Sequence, residues 1–176
     1  DGVGRAIPGG DVIADGDPVS LDFGVSYNGM ITDAAITVVA GKSSGTKRKL
    51  LKGTEEALLA GIAVVKDGVR TGDIGAAVEK VMTQYGFGIV RDLVGHGVGH
   101  EVHEEPDVPN YGIAGTGKKL AKGMTIAIEP MSTLGSERVV MDSDGWTIKT
   151  YDNSLSAHFE HTILILEDSA EILTLK

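Results

Sequence analysis

Apolar and polar positions alternate from residue 17 to residue 40, with Val19, Leu21, Phe23 and Val25 on one side of Asn28-Gly29 and Ile31 through Val39 on the other. A period of two broken by an Asn-Gly pair predicts two antiparallel strands joined by a tight hairpin turn. Over residues 46–66 the period changes. Leu51, Leu58, Ile62 and Val65 recur at helical spacing, and Ile74, Ala77, Val78, Val81 and Tyr85 repeat the pattern up to Gly86, a C-terminal stop. Two helices are therefore expected after the hairpin. Short apolar runs return at 124–128, near 146–148 and at 159–174, the last broken by the turn-forming sequence EDSAE at 167–171. Strands, then helices, then strands predict an α+β fold in which helices back a curved antiparallel sheet.

Composition narrows the function. With 176 residues, 41% hydrophobic and 23% charged, residues 1–176 suffice for a single domain with its own core, and no linker divides them. The net charge of -9 argues against a nucleic-acid partner, and no apolar run approaches the roughly 20 residues of a membrane span. Because the chain has no cysteine, any metal must be held by His, Asp and Glu. The opening DGVGRAIPGG reads as the interior of a longer domain, so an N-terminal part is expected to precede Asp1.

The chain echoes itself. GDPVSLD (16–22) and GMTIAIE (123–129) each run an apolar strand into a carboxylate, while DAAITV from Asp33 and EHTILI from Glu160 each enter an apolar strand from one. Two related halves would then each deliver two carboxylates from adjacent strands. In a tight hairpin register Asp22 and Asp33 become diagonal neighbours on one face. Leu21-Asp22-Phe23 and Ile128-Glu129-Pro130 place charge where burial is expected, and a buried carboxylate needs compensating positive charge. A metal supplies it. Four carboxylates balance two divalent cations, with a neutral imidazole completing the set.

The imidazole is sought in GHGVGHEVHEEP, residues 95–106. His100 and His103 stand three apart, and Gly95, Gly97, Gly99 and Pro106 do not suit a helix, which rules out the HExxH zinc-protease pattern. Glycines around His96 suit an irregular strand approached closely by another group, making His96 the best ligand candidate. His100, His158 and His161 are read as surface or locally satisfied histidines. GIAGTGKK (112–119) lacks the Ser or Thr of a phosphate loop and reads as a mobile loop; DSDG (142–145) lacks the remaining ligands of a calcium loop and reads as a hairpin turn.

GHGVGHEVHEEP, IAIEPM, WTIKTYDNSLSAHFEHT and EILTL together resemble the type I methionine aminopeptidases, over about residues 7–176 and in the family's order. The resemblance implies the pita-bread fold with pseudo-twofold halves. It also implies two divalent metal ions, whether Co, Mn, Fe or Zn, held by Asp22, Asp33, His96, Glu129 and Glu160. Asp33 and Glu160 would bridge both, Asp22 chelate one, and His96 with Glu129 hold the other. His103 and Glu129 are the implied catalytic residues, and His103 with Trp146 the substrate-binding ones. The implied reaction is removal of N-terminal methionine from peptides and nascent proteins by a metal-bridging hydroxide. The implied enzyme is a cytoplasmic monomer that meets its substrate at the ribosome. A prolidase-like peptidase is the second reading within the fold, and a non-catalytic peptide- or protein-binding descendant or fragment is the reading outside enzymes. One departure stands out: Arg5-Ala6-Ile7-Pro8 replaces the family's His-Gly-Ile-Pro, removing a proton-donating histidine and implying slow turnover.

Overall fold

The computed structural model describes Val3, Gly10 and residues 12–175; Arg5 and its neighbours at 6–8 lie outside the described residues. The hairpin forms as the alternation predicts, from β1 (Pro18–Tyr27) and β2 (Met30–Val39). Asn28 and Gly29 both adopt positive φ, 51° and 78°, the pair of left-handed residues that a two-residue turn needs to match strand twist. Asp22 pairs with Ala35 and Asp33 with Gly24, so the two carboxylates are diagonal neighbours on one face.

The helices are α1 (Gly45–Ala63), capped by the Ser44 hydroxyl accepting from the Lys47 amide, and α2 (Thr71–Tyr85), ended by Gly86. The remaining strands are β3 (Gly88–Ile89), β4 (Gly95–Gly97), β5 (Glu104–Val108), β6 (Thr125–Ile128), β7 (Met131–Thr133), β8 (Val139–Met141), β9 (Ile148–Thr150), β10 (Ser156–His158), β11 (Glu160–Ile165) and β12 (Ala170–Ile172). The main sheet is antiparallel in the order β1-β2-β11-β6-β4-β5, with β12 added to β11; β10-β7-β3 and β8-β9 form smaller sheets.

The two strand pairs of the sequence echo, β1-β2 and β6-β11, meet at the β2–β11 seam. The ladder there has two residue pairs, Ala35 with Glu160 and Ala34 with His161. Threonines lengthen it at both ends. The Thr162 hydroxyl accepts from the Asp33 amide and donates to the Asp33 carbonyl, both at 2.8 Å. Thr37 does the same for His158, at 2.8 and 2.9 Å. Backbones carrying an acid from one half are thus bolted to those of the other.

On the outer face of the sheet Ile126, Ile128, Ile163 and Ile165 pack with Leu50 and Leu58 of α1 and Ile74, Val78 and Met82 of α2. Each such side chain contributes about 1.5–3 kcal/mol when fully buried. Alternation turns Glu160 and Thr162 to the opposite, concave face. That core contains no residue of β1 or β2. Leu21, Phe23 and Val25 are consequently 41, 62 and 56% exposed, and Asp22 between them is exposed too, which corrects the expectation of burial around Asp22.

A second correction concerns residues 112–119. Asp73 accepts from the Gly115 amide at 2.6 Å, Glu79 from Gly112 at 3.1 Å, and Arg70 donates to the Gly117 carbonyl at 2.8 Å. The segment is a loop, but one pinned to Arg70 and to the first nine residues of α2 rather than mobile. The turn at 142–145 does join β8 to β9, with the Asp144 carboxylate accepting from the Trp146 and Thr147 amides at 2.8 Å. No helix of the described residues is long and apolar enough to cross a membrane.

Candidate metal centre

The glycines of the His-rich stretch make room for β4 between its neighbours. A Cβ on Gly95 would stand 2.3 Å from the Ala127 carbonyl oxygen of β6, and one on Gly97 2.4 Å from the Glu105 carbonyl oxygen of β5. Neither is sterically possible, so His96 is the one side chain of this three-residue strand. The register against β5 shifts between Gly95 and Gly97, the kind of irregularity that re-aims a side chain. A bond from the Ile31 amide to the Gly99 carbonyl, 2.6 Å, ties the end of the stretch to the hairpin.

His96 is buried, and its Nδ1 lies 2.8 Å from the Gly97 carbonyl oxygen. A carbonyl only accepts, so Nδ1 carries a proton, and in the neutral ring Nε2 is the nitrogen that presents its lone pair. That lone pair faces Glu129 Oε1 at 3.5 Å. Two electron-rich atoms so placed call for a cation between them. Ligand atoms of Asp33, His96 and Glu160, all buried, lie within 4.8 Å of one another. Asp22 completes the group from the solvent side: packing against its carboxyl raises the pKa above the ordinary carboxylate value, His158 opposes that, and the charges of Asp33 and Glu129 add to it.

Glu160 is 2% exposed, and its Oε1 has no hydrogen-bond partner. Burial first, and then the charges of Glu129, Asp33 and Asp22, push its pKa up to about 10. The structure therefore brings Asp22, Asp33, His96, Glu129 and Glu160 to one place. Four carboxylates around an imidazole nitrogen fit divalent cations, and the raised pKa of Glu160 is the mark of missing positive charge.

This has a measurable consequence. A carboxyl whose pKa is raised on folding stabilises the protein fully below its unfolded value, about 4.3, and loses that contribution as pH rises toward its folded value. The metal-free chain is thus expected to lose thermal stability between pH 7 and pH 9, a window above the titration of His161, whose pKa burial lowers. Glu160→Gln, neutral throughout, should flatten the curve in calorimetric melts. Parallel curves for the two proteins would rule out Glu160 as the cause.

His158 requires correction. It is 2% exposed rather than a surface residue; its Nε2 stands 3.4 Å from Glu129 Oε2 and 4.0 Å from Glu160 Oε2, and neither ring nitrogen has a hydrogen-bond partner. The signal was present: His158 and Glu160 are two apart in an extended segment, hence on one face. His161, by contrast, is locally satisfied, with Nδ1 2.8 Å from the Thr174 hydroxyl, and His100 is exposed. His103 is exposed and sets its ring edge-on to His96, centroids 4.4 Å apart at 62°. Trp146 is 49% exposed beside the turn that joins β8 to β9.

The sequence profile of metallopeptidase family M24 matches residues 3–167. A methionine aminopeptidase of Aquifex aeolicus is 50% identical over 166 residues, 93% of this chain and 64% of that protein. The crystal structure of a methionine aminopeptidase from Thermotoga maritima superposes with a TM-score of 0.89 at 49% identity, covering 92% of this chain and 65% of the other. A prolidase from Pyrococcus furiosus shares the fold more distantly, at a TM-score of 0.73 and 27% identity over 92% of this chain and 42% of its own. The chain thus spans about two thirds of the length of its methionine aminopeptidase relatives. With the profile matched along nearly all of its length, and the curved sheet of the pita-bread fold common to these neighbours, the chain belongs to metallopeptidase family M24.

Proposed function

We propose that this chain carries the metal-dependent machinery of an aminopeptidase that removes N-terminal methionine from peptides and nascent proteins. The observation that carries the reading is the bare Nε2 of His96 aimed at Glu129 within a cluster that also holds Asp33 and Glu160. Asp22, Asp33, His96, Glu129 and Glu160 would hold divalent ions, with Asp33 and Glu160 entering from the two sides of the β2–β11 seam. When bound, the ions would supply Lewis acidity toward the carbonyl of the first peptide bond and acidify a water toward neutrality.

The chain's own residues do the rest. Glu129 accepts the proton of the attacking water, because its carboxylate lies at the edge of the cluster and is less buried than Glu160. His103 stands at the mouth beside His96, placed to hold the scissile carbonyl and the charge that develops on its oxygen. Trp146 is assigned to the substrate pocket by the family resemblance. The higher identity to methionine aminopeptidases than to a prolidase, 49% against 27%, supports methionine over a proline-linked substrate.

The test is hydrolysis by the Mn2+-loaded chain. Met-Ala-Ser is expected to release methionine, N-acetyl-Met-Ala-Ser to stay intact, and EDTA to stop the reaction. Cleavage of Ala-Pro but not Met-Ala-Ser would instead assign a prolidase-like activity. Stoichiometric Mn2+ binding without cleavage of either would leave the binding-module reading in its place.

A further inference from the structure

The mechanism leaves unused a buried histidine that stands beside the acids. His158 lies at the end of β10, 2% exposed, with no hydrogen-bond partner at Nδ1 or Nε2. An unpaired buried imidazole is destabilising, so its retention needs a reason. Its backbone is not free to relieve the cost. The Thr37 hydroxyl clamps both its amide and its carbonyl, and β10 is paired with β7 through His158 and Met131. The ring is thereby held over the concave face beside two of the acids.

Its Nε2 stands 3.4 Å from Glu129 Oε2 and 4.0 Å from Glu160 Oε2, beside the tight group of donors formed by Asp33, His96 and Glu160. Glu129 lies between two imidazoles: Oε1 is 3.5 Å from His96 Nε2, and Oε2 is 3.4 Å from His158 Nε2. The His96 nitrogen is bare, as its Nδ1 proton goes to the Gly97 carbonyl. His158 has no such commitment and is free to carry its proton on Nε2.

Resting on the metal-site reading above, we propose that His158 is a positioning residue: its Nε2–H donates to Glu129 Oε2 and thereby turns Oε1 toward the side that His96 shares. A closing movement of a few tenths of an ångström from 3.4 Å makes this a charge-assisted hydrogen bond of ordinary length. The arrangement is the familiar one in which a group behind a ligating side chain fixes its orientation, reached here by a histidine acting on a carboxylate. The glutamine amide can reach much the same point as Nε2 and also donates. Alanine and leucine cannot.

Calorimetric titration with Mn2+ alone, on wild type and on His158→Gln, His158→Ala and His158→Leu, tests this. His158→Ala and His158→Leu are expected to weaken Mn2+ binding about 10- to 100-fold, and His158→Gln to stay within about threefold of wild type. Leucine fills the space that alanine empties, so the comparison stands if the alanine variant fails to fold. Affinity retained in the leucine variant would overturn the proposal. So would a glutamine variant as weak as the leucine one, since that marks a nitrogen ligand or a packing role that only the ring can fill. Failure of wild type to bind Mn2+ would remove the metal-site reading itself, and the role of His158 with it.

Discussion

His96→Ala is expected to reduce hydrolysis of Met-Ala-Ser at least about a thousandfold, a barrier increase of roughly 4 kcal/mol, and to lower the metal bound per chain. The size of the effect follows from geometry. His96 is the only side chain that β4 offers, since Gly95 and Gly97 have no room for a Cβ, so no neighbour in the strand can substitute for it. Its removal leaves Glu129 Oε1 facing a cavity and leaves the buried acids Asp33 and Glu160 without the imidazole that shares their site. Affinity should fall rather than shift, because an acid cluster lacking its nitrogen donor can lower its energy by holding protons, as Glu160 already does. Metal analysis by atomic emission beside kcat/KM measures both effects. Full metal content with an unchanged rate in a folded variant would remove His96 from the site.

Much of this was readable from short-range pattern. The β1–β2 hairpin is announced by alternation and an Asn-Gly pair, and the register that makes Asp22 and Asp33 diagonal neighbours follows from turn length alone. The glycines around His96 signalled close backbone approach before the carbonyls of Ala127 and Glu105 were seen to supply it. The echo between the halves was legible because the same strand ends in or begins with an acid on each side of the β2–β11 seam.

What was not legible depends on partners distant in sequence. The alternation of Leu21, Phe23 and Val25 defines an apolar face, but whether helices cover it is decided by where α1 and α2 settle; α1 settles against β6, β7, β10 and β11, and α2 against β3 and β5. The segment at 112–119 has the composition of a free loop, and its anchors Arg70, Asp73 and Glu79 lie some forty residues earlier, where no local rule looks. His158 taken alone has the look of a surface histidine, and only its two-residue spacing from Glu160 in an extended segment places both on one face. The three-residue strands β7, β8, β9 and β10 are too short for periodicity to register, and they pair with strands equally short or shorter, in the β10-β7-β3 and β8-β9 sheets.

His103→Ala should separate catalysis from metal binding. His103 is exposed and sets its ring edge-on to that of His96, the family's substrate-side position, so its loss is expected to leave metal content unchanged. Turnover is expected to fall by about two to four orders of magnitude, some 3–5 kcal/mol of barrier, the range for a hydrogen-bond donor aimed at a developing oxyanion or a group that moves a proton. An effect on kcat with little change in KM would mark an interaction made mainly in the transition state; a rise in KM alone would mark uniform substrate binding. His103→Gln keeps a donor but cannot titrate. If it recovers most of the rate, His103 works by donating a hydrogen bond; if it is as slow as the alanine variant, proton transfer by the imidazole is the larger part. Loss of metal from His103→Ala with retention in His96→Ala would exchange the roles assigned to the two rings, because the geometry that makes His96 Nε2 a lone pair directed into the acids would then have no binding consequence.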